Sequence, residues 1–92
     1  MHLSKRLQRV ADNVLSGGVV ADIGCDHGFT SIYLIRHKKV TKAIAMDINE
    51  GPLERAKEHM LSYGVEEHME LRLSDGLHML DADEADTLLI SG

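Results

Sequence analysis

Val19-Val20-Ala21-Asp22-Ile23-Gly24-Cys25-Asp26-His27-Gly28 is the stretch that decides the fold of this chain. Four of its first five residues are apolar, the short continuous run that strands buried on both faces of a parallel sheet show. Gly24 and Gly28 bracket a tight turn, and Thr30 to Arg36 then places Ile32, Leu34 and Ile35 on the inner face of a helix. The two glycines let backbone approach a ligand closely and leave N–H groups at the helix start for an anion. Strand, glycine turn and helix together read as the opening unit of an open, mostly parallel α/β sheet.

The flanking sequence continues the alternation. Upstream, Leu3, Leu7, Val10, Ala11 and Val14 recur at helical spacing over residues 4–15, with Ser4 as N-cap and Gly17-Gly18 as stop. Downstream, Ala43-Ile44-Ala45-Met46 reads as a second buried strand closed by Asp47. Gly51-Pro52 opens a helix with Leu53, Ala56, Met60 and Leu61 on one face, and Gly64 ends it. Met69 to Leu73 alternates as a half-buried strand, Asp75-Gly76 turns, Leu77 to Leu80 reads as one helical turn, and Thr87 to Ile90 is a last strand. This order predicts an α/β fold, an open and mostly parallel sheet with right-handed crossovers.

The length, 92 residues, allows one domain, and 43% hydrophobic with 27% charged residues excludes a disordered tail. No apolar run reaches the roughly 18 residues of a membrane-spanning helix, and Met1 to Val10 lacks the apolar stretch of a secretory signal. A lone Cys25 makes no internal disulfide, and six histidines without paired metal-ligand spacing predict no metal site. A cytoplasmic protein is expected. Scarce aromatics (Phe29, Tyr33, Tyr63) disfavour a stacking platform for single strands, and a net charge of −5 disfavours binding polyanions by bulk charge. The charge is uneven: residues 1–42 hold seven basic and three acidic residues, residues 43–92 three basic and twelve acidic. A basic front of this kind is either a polyanion-facing edge or a set of solvated helix faces.

Acids recur at the strand ends. Asp22 closes the first strand, Asp47 stands 23 residues after Gly24 at the end of the second, and Asp75 follows the third. In a parallel sheet all three fall at the carboxyl edge, where open α/β folds bind ligands. Asp47 suits a ribose diol and Asp75 an exocyclic amine, with Gly76 backbone beside it; the alternative is that each is a cap or turn former. A dinucleotide fingerprint would place its second glycine where Asp26 stands. A carboxylate there opposes a pyrophosphate but tolerates a cationic ligand, and S-adenosylmethionine is an adenosine carrying a sulfonium and an ammonium. His27, at the helix start, either touches a ligand or caps. Cys25 is expected as a small filler, and Met46, Met60, Met69 and Met79 as core.

Leu3-Ser4-Lys5-Arg6-Leu7 with Val10-Ala11, then Ala21-Asp22-Ile23-Gly24 with Asp26-His27, Gly51-Pro52-Leu53 and Asp75-Gly76-Leu77, resemble a known family. It is the bacterial tRNA adenine-N1-methyltransferases that modify adenine twenty-two in the D-loop region, within the class I, Rossmann-like, S-adenosylmethionine-dependent enzymes. The resemblance implies that Asp22 and Gly24 contact the methionine part of the cofactor, Asp47 the ribose, and Asp75 and Gly76 the adenine, with Asp26 and His27 beside the pocket. It implies tRNA as substrate, and Lys5, Arg6 and Arg9 as candidate phosphate contacts; no catalytic residue is assigned. Gly28-Phe29 departs from the Ala-Tyr that the family often carries. The family continues past the fourth strand, so the chain is expected to be the N-terminal portion of one such domain. On that reading it is inactive alone and prone to self-association through an open sheet edge. Two other readings stand beside this one: a methyltransferase for a small molecule or protein, and a non-enzymatic nucleoside-binding half-fold.

Overall fold

A computed structural model describes residues 3–14, 16–25, 27–76 and 78–90. Along these residues α1 (Lys5–Asp12) precedes β1 (Val19–Ile23), α2 (Phe29–Arg36), β2 (Lys42–Asp47), α3 (Glu50–Ser62), β3 (Met69–Leu73) and β4 (Thr87–Ile90). The strands pair in parallel in the order β3-β2-β1-β4, as the alternation predicts. The chain therefore lays β2 and β3 to one side of β1 and β4 to the other, and the order reverses between β1 and β4. Crevices at such a switch point, outside the carboxyl ends of the strands, are where open α/β sheets take ligands.

Period-two alternation divides the sheet's faces. Val20, Ala43, Ala45, Met69 and Leu89 share one core with Ile32, Leu34 and Ile35 of α2 and Ala56 and Met60 of α3. The two alanines of β2 keep that layer thin beneath both helices. Ala21, Ile44 and Met46 face the opposite way and are buried by Leu80 and Ala85 from the segment between β3 and β4. Leu88 and Ile90 of β4 remain exposed.

Ser4 caps α1 as expected, its side chain accepting from the Leu7 N–H at 3.2 Å, a cap worth about 1 kcal/mol. The helix stops at Asp12 with Asn13 as C-cap, short of the expected residue 15, so Gly17 and Gly18 belong to the loop instead. Gly18 sits at φ 74°, and a Cβ there would overlap the Asp86 side chain. That close approach serves a tie: Asp86 accepts the Val19 N–H and donates its own N–H to the Val19 carbonyl, both at 2.8 Å. The start of β4 is thereby fastened to the start of β1. Gln8 donates to the Tyr33 hydroxyl at 2.9 Å, and Lys39 lies 3.7 Å from Asp12. These contacts set α1 alongside α2 in the same direction, with its amino end toward the carboxyl edge of the sheet.

Two core assignments are corrected. Met79 is 56% exposed and Leu61 55% exposed, whereas Met46, Met60 and Met69 are buried. Leu61 lies on the outer side of α3, one residue past the buried Met60. The helical turn expected from Leu77 to Leu80 is also absent among the described residues: His78 and Met79 form a plain turn, and Leu77 lies outside them. No helix among the described residues is long and apolar enough to cross a membrane.

Candidate functional site

The strand registers bring the expected residues into one row. Ile23 pairs with Met46 and with Ile90, and Asp47 pairs with Leu73. The ladder runs on into the loops, with the Cys25 N–H donating to the Met46 carbonyl and the Ser74 N–H to the Asp47 carbonyl, both at 2.9 Å. Gly24, Asp47 and Asp75 thus stand at or just past the ends of three adjacent strands, at the same edge. Neighbouring strands lie about 4.8 Å apart, so this row spans about 10 Å, the scale of a nucleoside.

Each residue has a distinct local role. Asp22 is fully buried, and its Oδ2 accepts from the Ser31 hydroxyl at 2.9 Å. This carboxylate anchors the first turn of α2 and so fixes the loop between them. Gly24 turns the chain at φ 70°. Asp26 lies outside the described residues. His27, half-buried, follows it, and Gly28 occupies the N-cap of α2 at φ 78°. The missing Cβ of Gly28 does not face the edge: it would meet the Ala56 Cβ at 2.9 Å and the Met69 methyl at 3.2 Å. The second glycine therefore admits α3 rather than a ligand. Cys25 is buried behind the turn, as expected of a filler.

Asp47 shows one of the two uses foreseen for it, that of a turn former. Its Oδ1 accepts the Asn49 N–H at 3.0 Å, shaping the turn into α3. Oδ2 keeps its acceptor capacity at the edge. Asp75 and Gly76 are exposed on a turn organised by buried Ser74, whose hydroxyl donates to the Gly76 carbonyl at 2.9 Å and accepts the Met79 N–H at 3.2 Å.

Arg72 holds this last loop in place. Its guanidinium meets both oxygens of Glu84 at 2.7 Å, donates to the Met79 carbonyl at 2.8 Å, and pairs with Glu70. Bidentate pairing of this kind is the stronger class of charged contact. The guanidinium drives Glu84 down to about 2 and also lowers Glu70, while the two carboxylates raise Arg72. In the sequence Arg72 reads only as an outward residue of an alternating strand. Glu84, twelve residues on, carries no periodic signal that pairs it with β3. Ser31 and Ser74 are equally silent, because a hydroxyl inside a helix or after a strand has many ordinary uses.

Lys5, Arg6 and Arg9 are exposed on α1 and line a surface groove of about 440 Å³ with Val10 and Asn13. Among the described residues none of the three is paired with an acid. They stand apart from the acidic row, on a helix whose amino end leans toward the same edge. No cluster of His, Cys, Asp and Glu able to hold a metal ion occurs among the described residues.

Residues 3–92 match the methyltransferase domain family. The chain belongs to that family. Among curated proteins, this methyltransferase domain is 40% identical over all 92 residues to the tRNA (adenine(22)-N(1))-methyltransferase of Bacillus subtilis (strain 168), of which it spans 39%. Among solved structures, M. capricolum TrmK in complex with S-adenosyl-homocysteine superposes with a TM-score of 0.93 at 35% identity, over 100% of this chain and 42% of that one. Sp1610 of Streptococcus pneumoniae, in complex with S-adenosyl-L-methionine, gives 0.92 at 33% identity, over 99% of this chain and 43% of its own. The methyltransferase domain described here thus spans about two fifths of the length of each relative, and its four parallel strands have the Rossmann-like arrangement expected of it.

Proposed function

We propose that the chain binds S-adenosylmethionine at the carboxyl edge and serves an enzyme that methylates N1 of an adenine in tRNA. The observation that carries the reading is the row of Gly24, Asp47 and Asp75 on three adjacent strand ends. The donor set fits the cofactor. Residues 24–28, 47–50 and 74–76 contain acids and no lysine or arginine, which suits a cationic adenosine and opposes a pyrophosphate. In this reading Gly24 passes the methionine part, with Asp22 holding the loop from behind and Asp26 and His27 beside it. Asp47 Oδ2 accepts from the ribose, and Asp75 and Gly76 meet the adenine. Similar chains solved with S-adenosyl-L-methionine and S-adenosyl-homocysteine support this choice.

Bound there, the cofactor supplies an electrophilic methyl group on a sulfonium. The acceptor, adenine N1, already carries a lone pair at neutral pH, so the protein needs no strong base and no nucleophile of its own. What the chain's residues contribute is orientation and the exclusion of water, which convert an encounter of two molecules into an aligned displacement. N1 is normally occupied by pairing, so the base has to be exposed first. Lys5, Arg6 and Arg9 would position the tRNA through its phosphates without reading sequence. The setting is cytoplasmic, where tRNA is modified. The exposed Leu88 and Ile90 on β4, whose outer side has no strand partner among the described residues, would associate with a second copy; sedimentation that stays monomeric at all concentrations contradicts this.

A chimaera tests the enzymatic reading. The matching segment of the Bacillus subtilis relative is replaced by this chain, and N1-methyladenine in unmodified tRNA is read by mass spectrometry. Methylation is expected, together with tighter binding of S-adenosylhomocysteine than of NAD by the chain itself. A folded chimaera without activity, or preference for NAD, overturns the reading.

A further inference from the structure

The loop that carries Gly24 is held from outside the sheet as well as from within it. His59, on the face of α3 one turn beyond Ala56, places its Nδ1 2.8 Å from the His27 carbonyl. A carbonyl only accepts, so Nδ1 carries the proton and donates. The same peptide plane is tied at its other end, where the Gly28 N–H donates to the Cys25 carbonyl at 2.9 Å. Cys25 is in turn bonded to Met46 of β2. Carbonyl and N–H of the His27–Gly28 peptide are thus fixed together, the first by α3 and the second by the turn itself. The His59 ring also stacks on Phe29, at 4.3 Å between centroids and 24° between planes, and lies 5.9 Å from the His27 ring. Gly28 makes this possible, because only a residue without Cβ lets Ala56 and the rest of α3 come this close.

We propose that His59 is a positioning residue for the cofactor loop: its Nδ1–H holds the His27–Gly28 peptide in the orientation from which Gly24 and the start of α2 meet the ligand. The proposal rests on the carboxyl edge being the S-adenosylmethionine site. His59 touches no ligand in this scheme. Its hydrogen bond sets how much of the time the loop is competent, and affinity falls in proportion to that fraction. The stack on Phe29 contributes to stability instead, so the two contacts separate by substitution. His59→Ala loses both. His59→Asn keeps a donor at the same distance along the side chain as Nδ1 and loses the ring. Phe29→Leu loses the stack and keeps the bond.

The test measures S-adenosylhomocysteine affinity by calorimetry, melting temperature without ligand, and amide hydrogen exchange of Gly28 and Phe29 without ligand. His59→Ala is expected to weaken affinity roughly three- to tenfold and to speed exchange at both amides. His59→Asn is expected to bind within about twofold of the parent while melting lower, and Phe29→Leu to do the same. Affinity and exchange unchanged in His59→Ala, or affinity tracking melting temperature across all three variants, overturns the proposal. A parent chain that does not bind S-adenosylhomocysteine overturns the functional reading itself, which separates the two failures.

Discussion

Asp47→Asn separates the two roles of this carboxylate. One oxygen already accepts the Asn49 N–H at 3.0 Å and shapes the entry to α3. Asparagine retains an acceptor there, so the turn is kept. What is lost is the charge and the second oxygen, the one proposed to accept from a ribose diol. A hydrogen bond to a charged group contributes about 1.5–3 kcal/mol, and each 1.4 kcal/mol is about a factor of ten. Affinity for S-adenosylhomocysteine should therefore fall roughly 10- to 150-fold. Calorimetry on parent and variant reads the loss, and thermal unfolding without ligand reads the turn. The expected pattern is a large change in affinity with little change in melting temperature. Unchanged affinity refutes the ribose role, and a variant that melts far lower shows that Asp47 is chiefly a turn former.

Arg72 holds Glu84 and Glu70 below their ordinary carboxylate range, so their charged forms favour the folded state. That stability is fully present above the unfolded carboxylate value of 4.5 and drains as pH falls toward about 2. Arg72→Gln should flatten the acid side of a plot of urea midpoint against pH from 6 to 2; an unchanged slope removes the clamp. Asp86→Ala deprives the Val19 N–H of its acceptor, at a cost of about 1 kcal/mol, and should lower the melting temperature by roughly 4–8 °C, as differential scanning calorimetry would show. Reversing Lys5, Arg6 and Arg9 to glutamate should weaken tRNA binding and reduce the slope of log affinity against log salt by roughly 2 to 3. An unaltered slope would make α1 a solvated face.

Much of the edge was legible because strands and their terminal residues are local signals. A run such as Val19 to Ile23 announces burial, and parallel alternation then carries Asp47 and Asp75 to the same side without any knowledge of contacts. The helices were legible in their inner faces and less so at their ends: α1 stops at Asp12 although apolar spacing continues to Val14, because Val14 is buried from the loop that follows rather than from the helix. The site residues that escaped notice act through tertiary pairings. Arg72 reaches Glu84 across a turn, Ser31 reaches back to Asp22, and His59 meets a carbonyl 32 residues away. Gly28 shows the converse, a motif residue with a clear backbone role whose open side faces α3 instead of the carboxyl edge.

The central claim is that the carboxyl edge of this sheet is an S-adenosylmethionine site. An amide-resolved nuclear magnetic resonance titration of the isotope-labelled chain with S-adenosylhomocysteine tests it most directly. Saturable shifts are predicted at residues 24–28, 47–49 and 74–76, with residues 36–41 at the amino edge unmoved. Shifts confined to the amino edge or to α1, or no saturable shift at millimolar ligand, would contradict it.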